Sequence, residues 1–246
     1  MISVVARKKG AGHDISYSFH GGYNKMEART DVRKRLGLID DIGEVYENID
    51  TDPYMHRAIA SLRGLRLTES TPWEATLCFL VSQFNNIKRI RLIMKNLIAV
   101  YGEEIYVGRE KVKLFPTPDA LSRASIEGLK RCNAGFRAEY IKSVAQEWGS
   151  FRSERIYKMD YESAKETLMK FDGIGEKVAD CILLMGYRKM EAFPVDVWIK
   201  RIMEQRYMKR GASHAEIREF AGRIWKENAG YAQQYIYWYG RNFSGD

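Results

Sequence analysis

The chain has 246 residues, 45% of them hydrophobic and 29% charged; lysine plus arginine outnumber aspartate plus glutamate 40 to 32, for a net charge of +8. That length supports one large or two small domains with a substantial core, and the longest apolar runs are too short to cross a bilayer. The positive balance favours a polyanionic partner without proving one, and Arg7, Lys8 and Lys9 cut off the apolar start, which excludes a secretory signal and leads us to expect a soluble intracellular protein.

In chain order, Ile2 to Arg7 and Asp14 to Phe19 are predicted to be strands joined by a turn containing Gly10 and Gly12. Ile15, Tyr17 and Phe19 alternate with Ser16 and Ser18, the period of a strand with one covered face. Two strands are marginal alone in water, so this hairpin must rest on the helical body or on a partner. Helices are predicted over Arg29–Leu36, Asp40–Asn48, Pro53–Ser61, Pro72–Ser82, Ile87–Tyr101, Ile126–Arg131 and Arg137–Trp148, followed by four C-terminal segments. There is no internal repeat and no low-complexity linker. The three cysteines, Cys78, Cys132 and Cys181, are widely separated and odd in number, which suggests reduced thiols. They are too few to hold a four-iron cluster alone. The four histidines, His13, His20, His56 and His214, show no metal-ligand spacing, so we expect no metal and no cofactor.

The densest information lies between Leu168 and Arg201, LMKFDGIGEKVADCILLMGYRKMEAFPVDVWIKR. Tyr161 to Phe171 carries Ala164, Leu168 and Phe171 along one stripe, and the run Val178, Ala179, Cys181, Ile182, Leu183 and Leu184 has the composition of a buried helix. Between them Gly173 and Gly175 flank Ile174, giving helix, Gly-x-Gly turn, helix. Such a turn exposes backbone amides at the positive end of the following helix, a site for a phosphate oxygen; it serves equally as a plain structural turn. Lys177 stands in the first turn of that helix. A helix N-terminus and loss of water both favour the uncharged amine that a Schiff-base lysine needs, and simple pairing with a phosphate is the other reading. Downstream, Pro194-Val195-Asp196-Val197-Trp198 opens another helix, where Asp196 serves as an N-cap or as a carboxylate facing the positive charge that develops on a sugar ring as its bond to a base breaks.

The stretch FDGIGEKVADCILLMGYRKMEAFPVDVW resembles the helix-hairpin-helix Gly/Pro-Asp signature of DNA glycosylases, and its Lys-Val-Ala-Asp-Cys and Pro-Val-Asp-Val runs most resemble the 8-oxoguanine DNA glycosylase family. The resemblance extends along the whole chain and is dense only in the central and hairpin regions. It implies a mainly α, two-lobed helix-hairpin-helix glycosylase fold with a short N-terminal antiparallel β-hairpin: residues 1–28 as the remnant of an N-terminal antiparallel sheet domain, and residues 29–246 as a helical core of two lobes with a cleft where Lys177 and Asp196 meet. It further implies a base-excision repair glycosylase and abasic-site lyase. Lys177 would attack the sugar C1′, Asp196 would assist cleavage, and β-elimination through the lysine imine would follow. The substrate would be 8-oxoguanine opposite cytosine in double-stranded DNA, handled by a monomer away from any membrane. Gly173, Gly175 and Val178 would hold phosphate.

The same resemblance distributes the remaining roles. Ser82-Gln83-Phe84-Asn85-Asn86-Ile87-Lys88-Arg89 is similar to the family's asparagine-rich loop, which fills the gap left by an extruded base; Asn85, Asn86 and Arg89 match it, and Phe84 stands where asparagine is usual. Phe136 and Arg137 look like an aromatic-arginine pair in which the ring intercalates and the guanidinium reads the opposite base. Ordinary solvated helix faces are the other reading of Arg89 and Arg137. An enzyme that works on a base must extract and hold it. Cys181, one turn after Lys177, together with Pro194, Gln233 and Tyr237, would form that pocket, whereas Tyr231, Tyr235 and Trp238 at helical spacing read as core. Tyr237 replaces a phenylalanine and its hydroxyl needs a partner. Trp198 replaces a histidine that contacts phosphate. The family's larger sheet, with the glycine carbonyl that senses the lesion's N7 proton, has no counterpart here; either discrimination is achieved differently or the start lies inside a longer reading frame. Two alternatives stay open: a relative acting on another damaged or mismatched base, and a noncatalytic helix-hairpin-helix DNA-binding module.

Overall fold

The computed structural model describes residues 2–9, 12–19 and 24–243, with side chains over 24–243. Strands β1 (Ile2–Lys9) and β2 (Gly12–Phe19) pair antiparallel, from Ile2 opposite Phe19 to Lys9 opposite Gly12. They run longer than their side-chain alternation marks, because ladder hydrogen bonds use backbone alone. The turn expected around Gly10 lies outside the described residues.

Helices α1 (Lys25–Arg35), α2 (Ile42–Ile49), α3 (Pro53–Ser61), α4 (Pro72–Ser82) and α5 (Ile87–Tyr101) follow. A second hairpin, β3 (Glu104–Val107) and β4 (Glu110–Lys113), leads to α6 (Pro118–Ser122), α7 (Ile126–Arg131) and α8 (Arg137–Trp148). After a 3-10 turn at Ser153–Lys158 come α9 (Tyr161–Leu168), α10 (Glu176–Gly186), α11 (Val197–Arg206), α12 (His214–Trp225) and α13 (Ala229–Phe243). Among the described residues no helix is long and apolar enough to cross a membrane.

Local chemistry explains the helix starts. Asp52 and Thr71 accept first-turn amides of α3 and α4, each with proline just inside the helix. Helix α1 begins earlier than its apolar spacing suggests because Asn24 and Glu27 form a reciprocal capping box, which satisfies two orphan donors at once. From α1 to α12, only α8 and α10 begin without a side-chain cap.

Helices α4 to α10 form one lobe, in which α4 packs along α10 and against α8. Helices α2, α3, α11 and α12 gather around α13 in the other. Trp225, Tyr231, Tyr235 and Phe193 are its largest fully buried or nearly buried side chains, so Tyr231 and Tyr235 are core as expected; Trp238 is half-buried. Each fully buried large side chain is worth roughly 1.5–3 kcal/mol. The lobes are drawn together at two points. Gly230 on α13 sits so close to α10 that a Cβ there would meet Leu184 Cδ1 at 2.3 Å. Asp40, just before α2, accepts hydrogen bonds from Arg188, beyond the end of α10, and from Tyr231 on α13.

Inside the first lobe α9 is bolted to α10 by charge. Lys165 and Asp180 lie 3.0 Å apart with side chains 6% and 0% exposed, and the Tyr161 hydroxyl donates to the same Asp180 oxygen at 2.6 Å. Breaking a buried pair from one side strands a charge. Lys165→Met is therefore expected to lower the urea-melt stability by about 3–5 kcal/mol, and adding Asp180→Asn to recover much of that loss. In the hairpin turn, Gly173 has φ +77° and its Cβ position would fall 2.5 Å from the Tyr140 ring, whereas a Cβ at Gly175 would meet nothing within 4 Å. Gly173→Ala should cost about 1–3 kcal/mol and Gly175→Ala no more than about 1 kcal/mol; equal losses would contradict this account of the turn.

Candidate active site and DNA interface

Where α10 meets the start of α11 and the middle of α13, the two lobes leave an open cavity of about 160 Å³. It is lined by Lys177 and Cys181 from α10, Pro194 and Asp196 from the segment leading into α11, and Gln233 and Tyr237 from α13. All six residues expected to form the chemistry and base pocket thus share one wall system. The sequence reading missed Phe79, Leu184, Met185 and Gln234, which complete the lining. Phe79 comes from α4, far away in sequence, and its ring centre lies 5.7 Å from Lys177 Nζ.

Asp196 is fixed by the helix it starts. Its Oδ1 accepts from the amides of Trp198 at 3.0 Å and Ile199 at 2.8 Å, so the cap is real and the carboxylate cannot swing away without exposing those donors. Gln233 is 5% exposed; its Nε2 donates to the Pro194 carbonyl at 3.0 Å, and its Oε1 accepts from Gln234 Nε2 at 2.7 Å. Those bonds orient its amide and leave one N–H. Tyr237 has the partner its hydroxyl needs: Arg241 Nη1 donates to it at 2.6 Å. The same guanidinium lies over the Trp198 ring, 5.9 Å from its centre. Burial pushes the Cys181 thiol up to about 11, against the pull of the neighbouring Lys177 charge and hydrogen bond.

The hairpin between α9 and α10 carries Gly173, Gly175 and Val178, the residues expected to hold phosphate. Ile174 plugs it into the core at 3% exposure, while α10 starts at Gly175 without a side-chain cap. First-turn amides, including that of Val178, are left for an external acceptor. Ser143 on α8 donates to Asp172 Oδ2 at 2.9 Å, and Gln83 Nε2 donates to the Gly173 carbonyl at 3.1 Å. Gln83, given no role by the sequence reading, therefore joins the hairpin turn to the loop between α4 and α5.

That loop and the start of α8 bring the remaining candidates together. Phe84 is 93% exposed with φ +46°, and its ring centre lies 6.3 Å from that of Phe136, which is 50% exposed. Asn85 Nδ2 donates to the Val81 carbonyl, Asn86 caps α5 by accepting the Arg89 amide, and Arg89 is exposed. Arg137 is 3% exposed. Its Nε and Nη2 donate to the Gln83 carbonyl, Nη2 also to the Phe84 carbonyl at 3.1 Å, and Nη1 to the Ala134 carbonyl at 3.4 Å. Burial, and then the nearby Arg89 charge, hold its guanidinium below the ordinary arginine value.

A hairpin with open amides, beside a cavity that pairs a lysine with a helix-capping aspartate, defines a class, and the family profile described as HhH-GPD superfamily base excision DNA repair protein matches residues 77–227. The chain belongs to that superfamily. It is 33% identical over 230 residues to the "Probable N-glycosylase/DNA lyase" of Methanothermobacter thermautotrophicus, covering 84% of this chain and 74% of that one. It is 30% identical over 219 residues to the N-glycosylase/DNA lyase of Saccharomyces cerevisiae, covering 83% of this chain and 58% of the yeast protein. Among solved structures, the Clostridium acetobutylicum 8-oxoguanine glycosylase/lyase in complex with double-stranded DNA containing cytosine opposite 8-oxoguanine superposes with a TM-score of 0.87 at 30% identity, covering 97% of this chain and 81% of that one.

The neutral thiol beside Lys177 is directly testable. At pH 8 iodoacetamide is expected to label Cys181 at least about tenfold more slowly than a free thiol, with labelling accelerating as pH rises toward 11, since the thiolate is the reactive form. Fast labelling at pH 8, mapped by mass spectrometry, would show an ionised sulfur and contradict this environment.

Proposed function

We propose that this protein is a bifunctional DNA glycosylase and abasic-site lyase that excises 8-oxoguanine from double-stranded DNA. The observation that carries the reading is the shared cavity: a lysine, a fixed carboxylate and a base-sized set of stacking and amide groups line one space. A phosphate-binding module alone needs neither the carboxylate nor the pocket. The archaeal and yeast relatives, both named as N-glycosylase and DNA lyase, support the two activities, and the Clostridium enzyme, bound to DNA with cytosine opposite 8-oxoguanine, supports the lesion. Guanine is oxidised while paired with cytosine, so 8-oxoguanine opposite cytosine is the form in which the lesion first arises. One chain supplies Lys177, Asp196 and the walls of the cavity, which supports action as a monomer.

In this mechanism the extruded base enters between Cys181 and Tyr237, with the oriented Gln233 amide at its hydrogen-bonding edge. Phosphate oxygens of the strand rest on the amides after Gly173 and Gly175. Lys177 Nζ, in its uncharged form, attacks C1′ as the bond from C1′ to the base nitrogen breaks and the base leaves with that electron pair. The Asp196 carboxylate opposes the positive charge that builds on the sugar in between. The amine then loses a proton as the sugar ring opens to an imine. Removal of a proton from C2′ expels the 3′ phosphate, and hydrolysis of the imine frees the lysine.

Borohydride reduces that imine, so wild-type protein incubated with 8-oxoguanine duplex is expected to give a covalent protein–DNA adduct, and Lys177→Gln to give none while still binding DNA. An undiminished adduct in Lys177→Gln would reject this nucleophile. Asp196→Asn, whose amide oxygen can still cap α11, should excise far more slowly than wild type while its melting temperature stays close to wild type. A panel of duplexes bearing other oxidised, alkylated or mismatched bases tests the lesion itself, and faster excision of any of them would replace 8-oxoguanine in the proposal.

A further inference from the structure

We infer that Phe84 and Phe136 form an aromatic step that holds the base left behind by stacking, with Arg137 bracing the step instead of reading that base, so that excision is nearly indifferent to the base opposite the lesion. The inference rests on the proposed excision site and concerns how the other strand is held.

Phe84 concentrates two unfavourable features in one residue. A bulky apolar side chain is 93% exposed, on a backbone with φ +46° that side-chain-bearing residues rarely adopt. Such a conformation persists only where its surroundings impose it. Here the imposing group is Arg137, whose fork holds the carbonyls of both Gln83 and Phe84 from a site 3% exposed to solvent. The side chain that the family resemblance would assign to reading the opposite base is instead holding up the loop beneath Phe84. Releasing it toward a base would strip the donor from two carbonyls and the support from the strained residue.

The neighbouring amides are engaged in the same way. Asn85 donates to the Val81 carbonyl at 3.0 Å and accepts from the Asn86 amide at 3.0 Å, and the Asn86 side chain caps the Arg89 amide at 3.0 Å. Outward, the loop and the start of α8 offer two rings with centres 6.3 Å apart, beside the exposed Asn86 side chain, whose Oδ1 is taken by the Arg89 amide. Every base has a π face, so stacking holds any of the four, whereas recognition by edge needs a free fork. Arg89 is the exposed fork that remains, on the first turn of α5, where a backbone phosphate suits its charge.

The test measures wild-type single-turnover excision of 8-oxoguanine opposite cytosine, adenine, guanine and thymine, together with affinity for four duplexes carrying a tetrahydrofuran abasic-site analogue opposite the same bases. Rates and affinities are each expected to agree within about fivefold across the four, the least that one bidentate base contact would discriminate. Phe84→Ala and Phe136→Ala, both at exposed side chains, should weaken all four analogue complexes in parallel by roughly 5- to 150-fold. A preference for cytosine beyond fivefold, above all one abolished by Arg89→Ala, would overturn the inference, as would unchanged affinity in both phenylalanine variants. Uniform analogue affinities without excision of 8-oxoguanine from any duplex would refute the lesion assignment and leave the aromatic step standing.

Discussion

Asp196 caps α11 and lines the cavity with one and the same carboxylate, and the proposed chemistry depends on that coincidence. As the cap of α11 it is held by two backbone amides, so its position is set by the helix and not by a flexible side chain. As a lining group of the cavity it faces the same space as Lys177. Negative charge near the sugar is useful only if it need not reorganise while the bond breaks, and a capping carboxylate meets that requirement. Lys177 and Cys181 follow one another by a turn on α10, so one helix presents both the amine and a wall of the cavity proposed to take the base. Gly230 lets α13 approach that helix closely enough for Gln233 and Tyr237 to supply the opposite wall.

The three surfaces that would touch DNA are tied by shared backbone groups. Gln83 accepts from Arg137 through its carbonyl and donates to Gly173 through its side chain. One residue therefore joins the Phe84 loop to the Gly-x-Gly turn that precedes α10. Beneath that helix, Lys165, Tyr161 and Asp180 resist a shift of α10 relative to α9. The residues proposed to grip the strand, fill the gap and act as nucleophile thus stand on one connected framework of buried polar contacts.

Much of this was legible in the sequence, for identifiable reasons. Helices α3, α4, α5, α7 and α8 lie where the pattern places them; Pro53, Pro72 and the asparagine pair before Ile87 mark the starts of α3, α4 and α5. The hairpin of β3 and β4 escaped notice: its strands have four residues each, and Glu104, Glu110, Lys111 and Lys113 dilute the alternation of Ile105, Val107 and Val112. The five-residue helix α6 and the 3-10 turn at Ser153–Lys158 are too short for periodicity to register. For the site, local motifs located Lys177, Asp196 and the hairpin glycines, and family resemblance placed the pocket residues on α13. Phe79, Gln234, Gln83 and Arg241 were invisible because their roles arise from tertiary contact with distant segments. Arg137 could be found in the sequence, yet its burial under the Phe84 loop, which decides what its fork can do, depends on packing alone.

Lys177 and Asp196 are proposed to converge on a single deoxyribose carbon. A crystal structure of the wild-type protein with a duplex bearing a 2′-fluorinated 8-oxoguanine nucleotide, whose glycosidic bond resists cleavage, tests it most directly. The account predicts the base in the cavity between Cys181 and Tyr237, Lys177 Nζ about 3–3.5 Å from C1′, and the Asp196 carboxylate against the sugar ring. A lesion seated elsewhere, or a C1′ faced by a different amine, would contradict it.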